Sequence, residues 1–193
     1  MEEKNGLNKL IENLTLLGYT PELTVEDKSS LFPAENRFTS AKTVIVVLSD
    51  NLYFIARSNI NSAFTGIYTA IKNPIDSEFK VYVRNWFDFL IHRNRQKVGI
   101  KFIDENVTIV SSKWIPFNEF NIENTKLFLE INNAGKPYNL ILENNYLSSI
   151  IEPLTSQKVI GIETNDWLYK KEDLEHLFKY GEPLIRNLKN LSA

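Results

Sequence analysis

The sequence predicts an α+β fold: a mainly antiparallel sheet with N-terminal, middle and C-terminal helices packed on it. Short β-branched and aromatic runs alternate with brief turn signals, and segments at both ends repeat apolar residues at helical spacing. Brief connections favour antiparallel pairing, because a parallel connection needs a dozen or more residues. With 193 residues, 43% of them hydrophobic, and a net charge of −2, the chain has the composition of one globular domain over residues 1–193.

The N-terminal segment has the pattern of an amphipathic helix over residues 5–17. Its apolar residues recur at helical spacing: Leu7, Leu10, Ile11, Leu14 and Leu17. Gly18 follows at the place where a left-handed residue ends many helices. Residues 20–40 contain two prolines and no clear period, which predicts a long connection with room for one short strand.

A first group of strands comes next. Residues 42–48 and 52–57 are β-branched and aromatic runs on either side of residues 49–51 (Ser-Asp-Asn), a combination that predicts a tight hairpin. Residues 65–71 and 78–84 are two further predicted strands. Since the connections are short, we expect these four strands to form an antiparallel meander.

The second half predicts further strands and two helices. The middle helix, over residues 121–131, has the apolar positions Ile122, Leu127, Leu129 and Ile131. Strands are predicted at residues 107–110, 138–142, 146–151 and 158–163. The last helix has the clearest apolar period of the chain, over residues 174–188. Pro183 predicts a kink or a break near Gly181, with Pro183 opening a second short helix.

One internal similarity relates the two groups of strands. At an offset of 94 residues, residues 44–52 lie over residues 138–146, and each block follows a predicted helix. A duplicated unit with halves at residues 1–84 and 115–193 explains this similarity. Two unrelated hairpins explain it as well, because hairpin signals recur in β-rich chains.

Composition argues against several chemistries. The chain has no cysteine, which removes thiolate nucleophiles, disulfides and Cys-ligated zinc. Its two histidines, His92 and His176, cannot form a His-x-x-x-His metal pair, and the scattered glycines form no phosphate-binding loop. We therefore predict no catalytic residue, no metal and no cofactor, and the sequence favours a protein that is not an enzyme.

The N-terminus predicts a cytoplasmic protein. It begins with acidic residues and lacks the basic start and apolar run of a secretory signal. The longest apolar strings are far shorter than the roughly 20 residues needed to span a bilayer. The richness in Asn, Ile and Lys is typical of an A+T-rich genome, and we expect a bacterial source.

A basic and aromatic segment at residues 84–101 is the strongest local anomaly. Candidate ligand- or anion-binding residues are Arg84, Trp86, His92, Arg93, Arg95 and Lys97. Arginine and lysine bind phosphates, and aromatic faces stack on bases or lie at lipid headgroups. The alternative is a short helix with buried aromatic residues and a solvated basic end. Asp88 lies one helical turn before His92 and could orient it as a base, whereas His176 is expected to be exposed.

The basic segment is followed by residues 99–104 (Gly-Ile-Lys-Phe-Ile-Asp), a strand, the middle helix, a two-stranded ribbon and the last helix. In this order residues 84–193 resemble an uncharacterised bacterial α+β domain family of unknown function. That family has a Gly-x-x-x-Phe-Asp-like turn, into which this chain inserts Ile103, and membrane-spanning helices often accompany it. No activity is established for the family, so the resemblance implies no catalytic residue.

Together these patterns favour a cytoplasmic, non-enzymatic protein-interaction or adaptor domain. We expect it to engage a protein partner, or a second copy of itself, through an apolar helix face or an unpaired sheet edge. An anion-binding module for nucleic acid or a membrane surface, using the segment at residues 84–101, is the first alternative. An enzyme with an unrecognised site is the second.

Overall fold

The computed structural model describes residues 2–26, 41–49, 51–59, 62–71, 78–88, 95–111, 113, 120–144, 147, 150–151, 154 and 158–189. These residues form the helices α1 (Glu2–Leu16), α2 (Lys101–Asn106), α3 (Ile122–Asn132) and α4 (Lys171–Leu188). They also form the strands β1 (Glu22–Glu26), β2 (Ala41–Ser49), β3 (Leu52–Ser58), β4 (Ala63–Ala70), β5 (Phe79–Val83), β6 (Val107–Ser111), β7 (Asn139–Asn144) and β8 (Lys158–Thr164). All eight strands lie in one antiparallel sheet, in the order β1-β2-β3-β4-β8-β7-β5-β6. The predicted α+β class is confirmed.

The end of α1 agrees with the prediction made from Gly18. Gly18 has φ +87°, a conformation that glycine adopts without a steric penalty. Its amide donates to the Thr15 carbonyl (2.9 Å), and the Tyr19 amide donates to the Leu14 carbonyl (3.0 Å). These two bonds satisfy carbonyls that the helix end would otherwise leave unpaired. The chain then turns into β1, so the connection does contain one short strand.

The predicted hairpin is confirmed, and the predicted meander is correct only as far as β4. β2 pairs with β3 and β3 with β4, and Asn51 has the positive φ of a tight turn. The expected pairing of the strands predicted at residues 65–71 and 78–84, which are β4 and β5, is wrong. β8 lies beside β4, and β5 lies between β7 and β6. Four consecutive residues of β8 are buried, on both faces, whereas burial alternates along β5. The strand that is apolar on both faces therefore takes the central place.

The strand predicted at residues 146–151 is wrong where the structure describes it. The amides of Ile150 and Ile151 both donate to the Leu147 carbonyl, which is a helical turn. Leu147, Ile151 and Leu154 cover one face of the sheet as part of a small second core. A short apolar run has the same composition in a strand and in a buried turn, so periodicity does not separate them. Since β7 pairs with β8 instead, the strand pairing of the two similar blocks differs, and the duplication stays a prediction.

The middle helix is confirmed, with a different buried face. The Asn121 side chain accepts a hydrogen bond from the Asn124 amide (3.0 Å) and caps α3. The buried residues are Asn124, Thr125, Phe128 and Ile131, whereas the predicted core position Ile122 is exposed. Asn124 is satisfied there, because its Oδ1 accepts from Nδ2 of Asn187 on α4 (2.8 Å).

The last helix passes through Pro183 without the predicted break. α4 is a single helix that includes Pro183, and Leu184, Ile185 and Leu188 beyond it are buried in the main core. Proline in a helix interior costs about 3 kcal/mol, while burying one aliphatic side chain contributes about 1.5–3 kcal/mol. Burial of three such side chains therefore offsets the proline and keeps the helix continuous.

Two cores lie on opposite faces of the sheet. The larger is formed by one face and the helices, and the smaller by the other face with Leu147, Ile150, Ile151 and Leu154. In the smaller core the fully buried ring of Tyr68 lies beside Gly66 and Gly161, and its hydroxyl donates to Oε2 of Glu163 (2.8 Å). The two glycines leave room for the ring to lie against the sheet.

Candidate functional site

A tight turn at residues 85–88 opens the predicted basic and aromatic segment. The Asp88 amide donates to the Asn85 carbonyl (3.2 Å), and the Phe87 amide donates to Oδ1 of Asn85 (2.9 Å). Asp88 is only 4% exposed, and its Oδ2 accepts from the Asn85 amide (3.1 Å) and from the Thr108 hydroxyl (2.5 Å). Since Thr108 belongs to β6, a buried carboxylate ties this turn to the sheet.

The anchored turn presents two aromatic side chains to solvent. Trp86 is 70% exposed and Phe87 is 47% exposed, and their ring centroids lie 3.7 Å apart. The alternative interpretation, in which the aromatic residues of this segment are buried, is therefore wrong for Trp86 and Phe87. Phe89 lies outside the described residues. Aromatic residues, tryptophan among them, are enriched in protein interfaces relative to the rest of the surface.

Arg84 and Arg95 bind the end of α2. Nη1 of Arg84 lies 2.7 Å, and Nη1 of Arg95 3.2 Å, from the Asp104 carbonyl oxygen. That carbonyl belongs to the last turn of a six-residue helix, where no intrahelical amide is available. The two arginines therefore have a structural task, and they bring residues 84 and 95 together, as the prediction of one basic site requires.

The Asp104 side chain holds the backbone at residues 98 and 99. Its two carboxylate oxygens accept from the amides of Val98 (2.8 Å) and Gly99 (3.0 Å). Lys97 and Ile100 are exposed beside these amides, and Lys101 begins α2. We call Trp86, Phe87, Lys97, Ile100 and Lys101 the aromatic-basic surface.

The histidine hypothesis has a different outcome for each residue. His92 and Arg93 lie outside the described residues, so the Asp88–His92 pair stays a prediction, although the Asp88 carboxylate already binds Asn85 and Thr108. His176 is only partly exposed, contrary to expectation. Its Nε2 lies 3.0 Å from the Glu130 carbonyl oxygen and 3.1 Å from that of Ile131, at the end of α3. This contact satisfies the helix terminus.

The structure also has a cleft that the sequence did not reveal. It has a volume of about 350 Å³ and lies where α1 meets one end of the sheet. The residues that line it are Leu7, Lys42, Ser58, Asn59, Ser62, Ala63 and Trp167. Lys42 is paired with Ser58 across β2 and β3, and Ser58 with Ala63 across β3 and β4, so these three form one row across the sheet. No local pattern joins residues so far apart in the chain.

A buried threonine holds Trp167 at this cleft. The Thr65 hydroxyl donates to the Asp166 carbonyl (2.8 Å) and accepts from the Leu168 amide (3.1 Å), so it binds the chain on both sides of Trp167. A Cβ atom on Gly6 would lie at van der Waals contact distance, 3.5 Å, from Nε1 of Trp167. The indole therefore lies close against the first turns of α1.

Thr65→Val is expected to lower the free energy of unfolding by about 2 kcal/mol. Valine has the same shape without the hydroxyl, so the Asp166 carbonyl and the buried Leu168 amide both lose their partner. Urea unfolding measures the loss, and the indole N–H resonance of Trp167 should move. Thr65→Ser is the matched control, since it keeps the hydroxyl and should keep that resonance. An unmoved Trp167 resonance in Thr65→Val would contradict the role assigned to Thr65.

No protein-family model, no curated protein and no solved structure matches this chain, so the resemblance of residues 84–193 stays a prediction. Across the described ranges, no group of three or more histidine, aspartate or glutamate residues could hold a metal ion. In the same part of the chain, no helix has both the length and the apolar character needed to cross a membrane.

Proposed function

We propose that this protein is a non-enzymatic protein-interaction or adaptor domain and that the aromatic-basic surface is its contact region. The observation that carries the proposal is Trp86, 70% exposed on a turn that the buried Asp88 anchors to the sheet. A turn whose backbone is already fixed loses little conformational freedom on binding. More of the area that Trp86 buries against a partner therefore contributes to affinity.

The other contact regions expected from the sequence have less support. The apolar stripes of α1 and α4 lie in the main core, so neither helix offers an apolar face of that kind. At one edge of the sheet, the Gln96 amide donates to the Ile109 carbonyl (2.9 Å) and covers part of β6. At the other edge, β1 pairs with β2 alone among the described residues, and Leu23 and Val25 are exposed there. The β1 edge is therefore the second surface to test.

The chemistry of the aromatic-basic surface defines the partner. Trp86, Phe87 and Ile100 supply exposed apolar area, and Lys97 and Lys101, which are exposed residues of the same segment at residues 84–101, supply positive charge. Lys101 also lies 3.9 Å from Glu105, an exposed ion pair that contributes little to stability. Such a surface complements an apolar pocket that is bordered by carboxylates. We therefore propose a partner protein with an acidic contact surface.

The Trp86→Ala/Phe87→Ala double variant is expected to lose the partner and to keep its fold. Both side chains are exposed, so the free energy of unfolding should change by less than about 1 kcal/mol. The full chain is immobilised, and proteins retained from an extract of the source cells are quantified for the wild type and the variant. We expect one retained protein to fall at least about tenfold, because one anchoring aromatic side chain contributes about 2 kcal/mol or more.

Two further measurements decide between this proposal and its alternatives. Leu23→Thr/Val25→Thr changes the β1 edge instead and should retain the protein that the double variant loses. The double variant is also compared with the wild type on a single-stranded oligonucleotide and on phosphatidylserine vesicles, at two salt concentrations. Loss of salt-dependent binding to either of these, with no protein lost, would overturn the protein proposal in favour of anion binding. Loss through the β1 variant alone would place the contact at the sheet edge.

A further inference from the structure

The cleft beside Trp167 is a second feature that the proposed function does not use. Its floor is the row Lys42, Ser58 and Ala63 at the end of three paired strands. In the row at Val44, Ala56 and Thr65 the same face of the sheet is fully buried. Ser58 and Ala63 have small side chains, and Leu7 and Trp167 border the space above them. The cleft is thus built from rigid, paired backbone and not from loops alone.

The cleft offers hydrogen-bond donors and one positive charge. Within the described part of the chain, the Lys42 ammonium group has no carboxylate partner, and neither the Ser58 hydroxyl nor the Trp167 indole N–H has a hydrogen-bond partner. Ser62 differs, because its hydroxyl and amide both bind Oδ1 of Asn59 and close the β3–β4 turn. Among the described residues that line the cleft, none is an aspartate or a glutamate. A cation with free donors and no carboxylate nearby favours an anionic ligand.

We propose that this cleft binds a small monocarboxylate whose body is apolar and about the size of an aromatic ring. One lysine matches a single negative charge, whereas a phosphate dianion is usually held by several backbone amides or an arginine fork. Trp167, Leu7 and Ala63 supply the apolar part of the wall. A volume of about 350 Å³ is near the lower limit for small-molecule sites and suits a ligand of this size.

The test is a titration of the ¹⁵N-labelled full chain with phenylacetate. The indole N–H resonance of Trp167, assigned through a Trp167→Phe variant, should shift and saturate with a dissociation constant of about 1 mM or lower. Phenylacetamide has the same shape without the charge and should bind at least about tenfold more weakly, because it loses the charge-assisted bond. Lys42→Gln should weaken phenylacetate binding to a similar degree, and Lys42→Arg should retain it.

The controls separate a specific site from general attraction to lysine. Lys126→Gln removes an exposed lysine on α3 and should leave the titration unchanged. The proposal is overturned if the Trp167 resonance does not move, if the amide binds as well as the carboxylate, or if Lys42→Gln binds like the wild type. Tighter binding of phenyl phosphate would overturn the choice of a carboxylate. None of these results depends on the aromatic-basic surface, so the two proposals fail separately.

Discussion

Gly161→Ala is expected to destabilise the protein by about 3 kcal/mol. A Cβ atom at Gly161 would overlap Cδ1 of Tyr68, and it would lie 2.7 Å from Cε1 of the same ring and 3.2 Å from the Ile67 carbonyl oxygen. The ring has little room to move, because it is fully buried and its hydroxyl is bound to Glu163. Urea unfolding followed by circular dichroism measures the loss.

Two controls test the cause of that effect. Gly6→Ala makes the same chemical change in α1, where the new Cβ would be at ordinary contact distance from Trp167, and alanine is the better helix former. It should leave stability unchanged or raise it by up to about 1 kcal/mol. In the Tyr68→Ala background, Gly161→Ala should cost much less, since the ring is gone. If the two changes are instead additive, the contact with Tyr68 is not the cause.

Asp88→Ala is expected to lower the free energy of unfolding by a similar amount, about 2–4 kcal/mol. It leaves the fully buried Thr108 hydroxyl and the Asn85 amide without an acceptor, and each such loss costs about 1–3 kcal/mol. The turn that presents Trp86 and Phe87 should also loosen. We therefore expect faster hydrogen exchange at the Asp88 amide, which donates within this turn, and weaker binding of the proposed partner.

Asp88→Asn is the matched control for this prediction. Asparagine keeps one acceptor oxygen at the same place, so Asp88→Asn should lower the free energy of unfolding less than Asp88→Ala does. Hydrogen exchange at the amide of residue 88 should also be slower in Asp88→Asn than in Asp88→Ala. Thr108→Val removes the donor of the same bond and should be intermediate. Equal stability of Asp88→Ala and the wild type would show that the buried carboxylate does not hold the turn. Equal partner binding with faster exchange would show that the contact does not need a fixed turn.

The helix ends and the first hairpin show how far local patterns reach. The end of α1 at Gly18, the start of α3 near Asn121 and the turn at Asn51 each depend on residues within five positions of one another. Local hydrogen bonds and backbone preferences decide such features, and sequence patterns report those preferences. The same reasoning failed at Pro183. Proline is expected to interrupt a helix, but the burial of Leu184, Ile185 and Leu188 beyond it keeps α4 continuous.

The candidate sites were only partly accessible to the same reasoning. Composition marked the segment at residues 84–101, but it did not separate the exposed Trp86 from a buried aromatic residue. The exposure of Trp86 depends on the hydrogen bond between Thr108 and Asp88, which lie 20 residues apart in the chain. Lys42 and Trp167 were not marked together at all, because more than a hundred residues of chain separate them.

By itself the sequence determined the α+β class, three of the helices and most of the strands, since these follow from local spacing and turn chemistry. Only the tertiary structure decided the strand order, the placing of β8 at the centre and the cleft between Lys42 and Trp167. The physical reason is that strand order and cavity shape depend on which apolar surfaces bury one another across long stretches of chain. The free energy of burying apolar surface is proportional to the area buried, and it does not depend on how far apart the residues lie in the sequence.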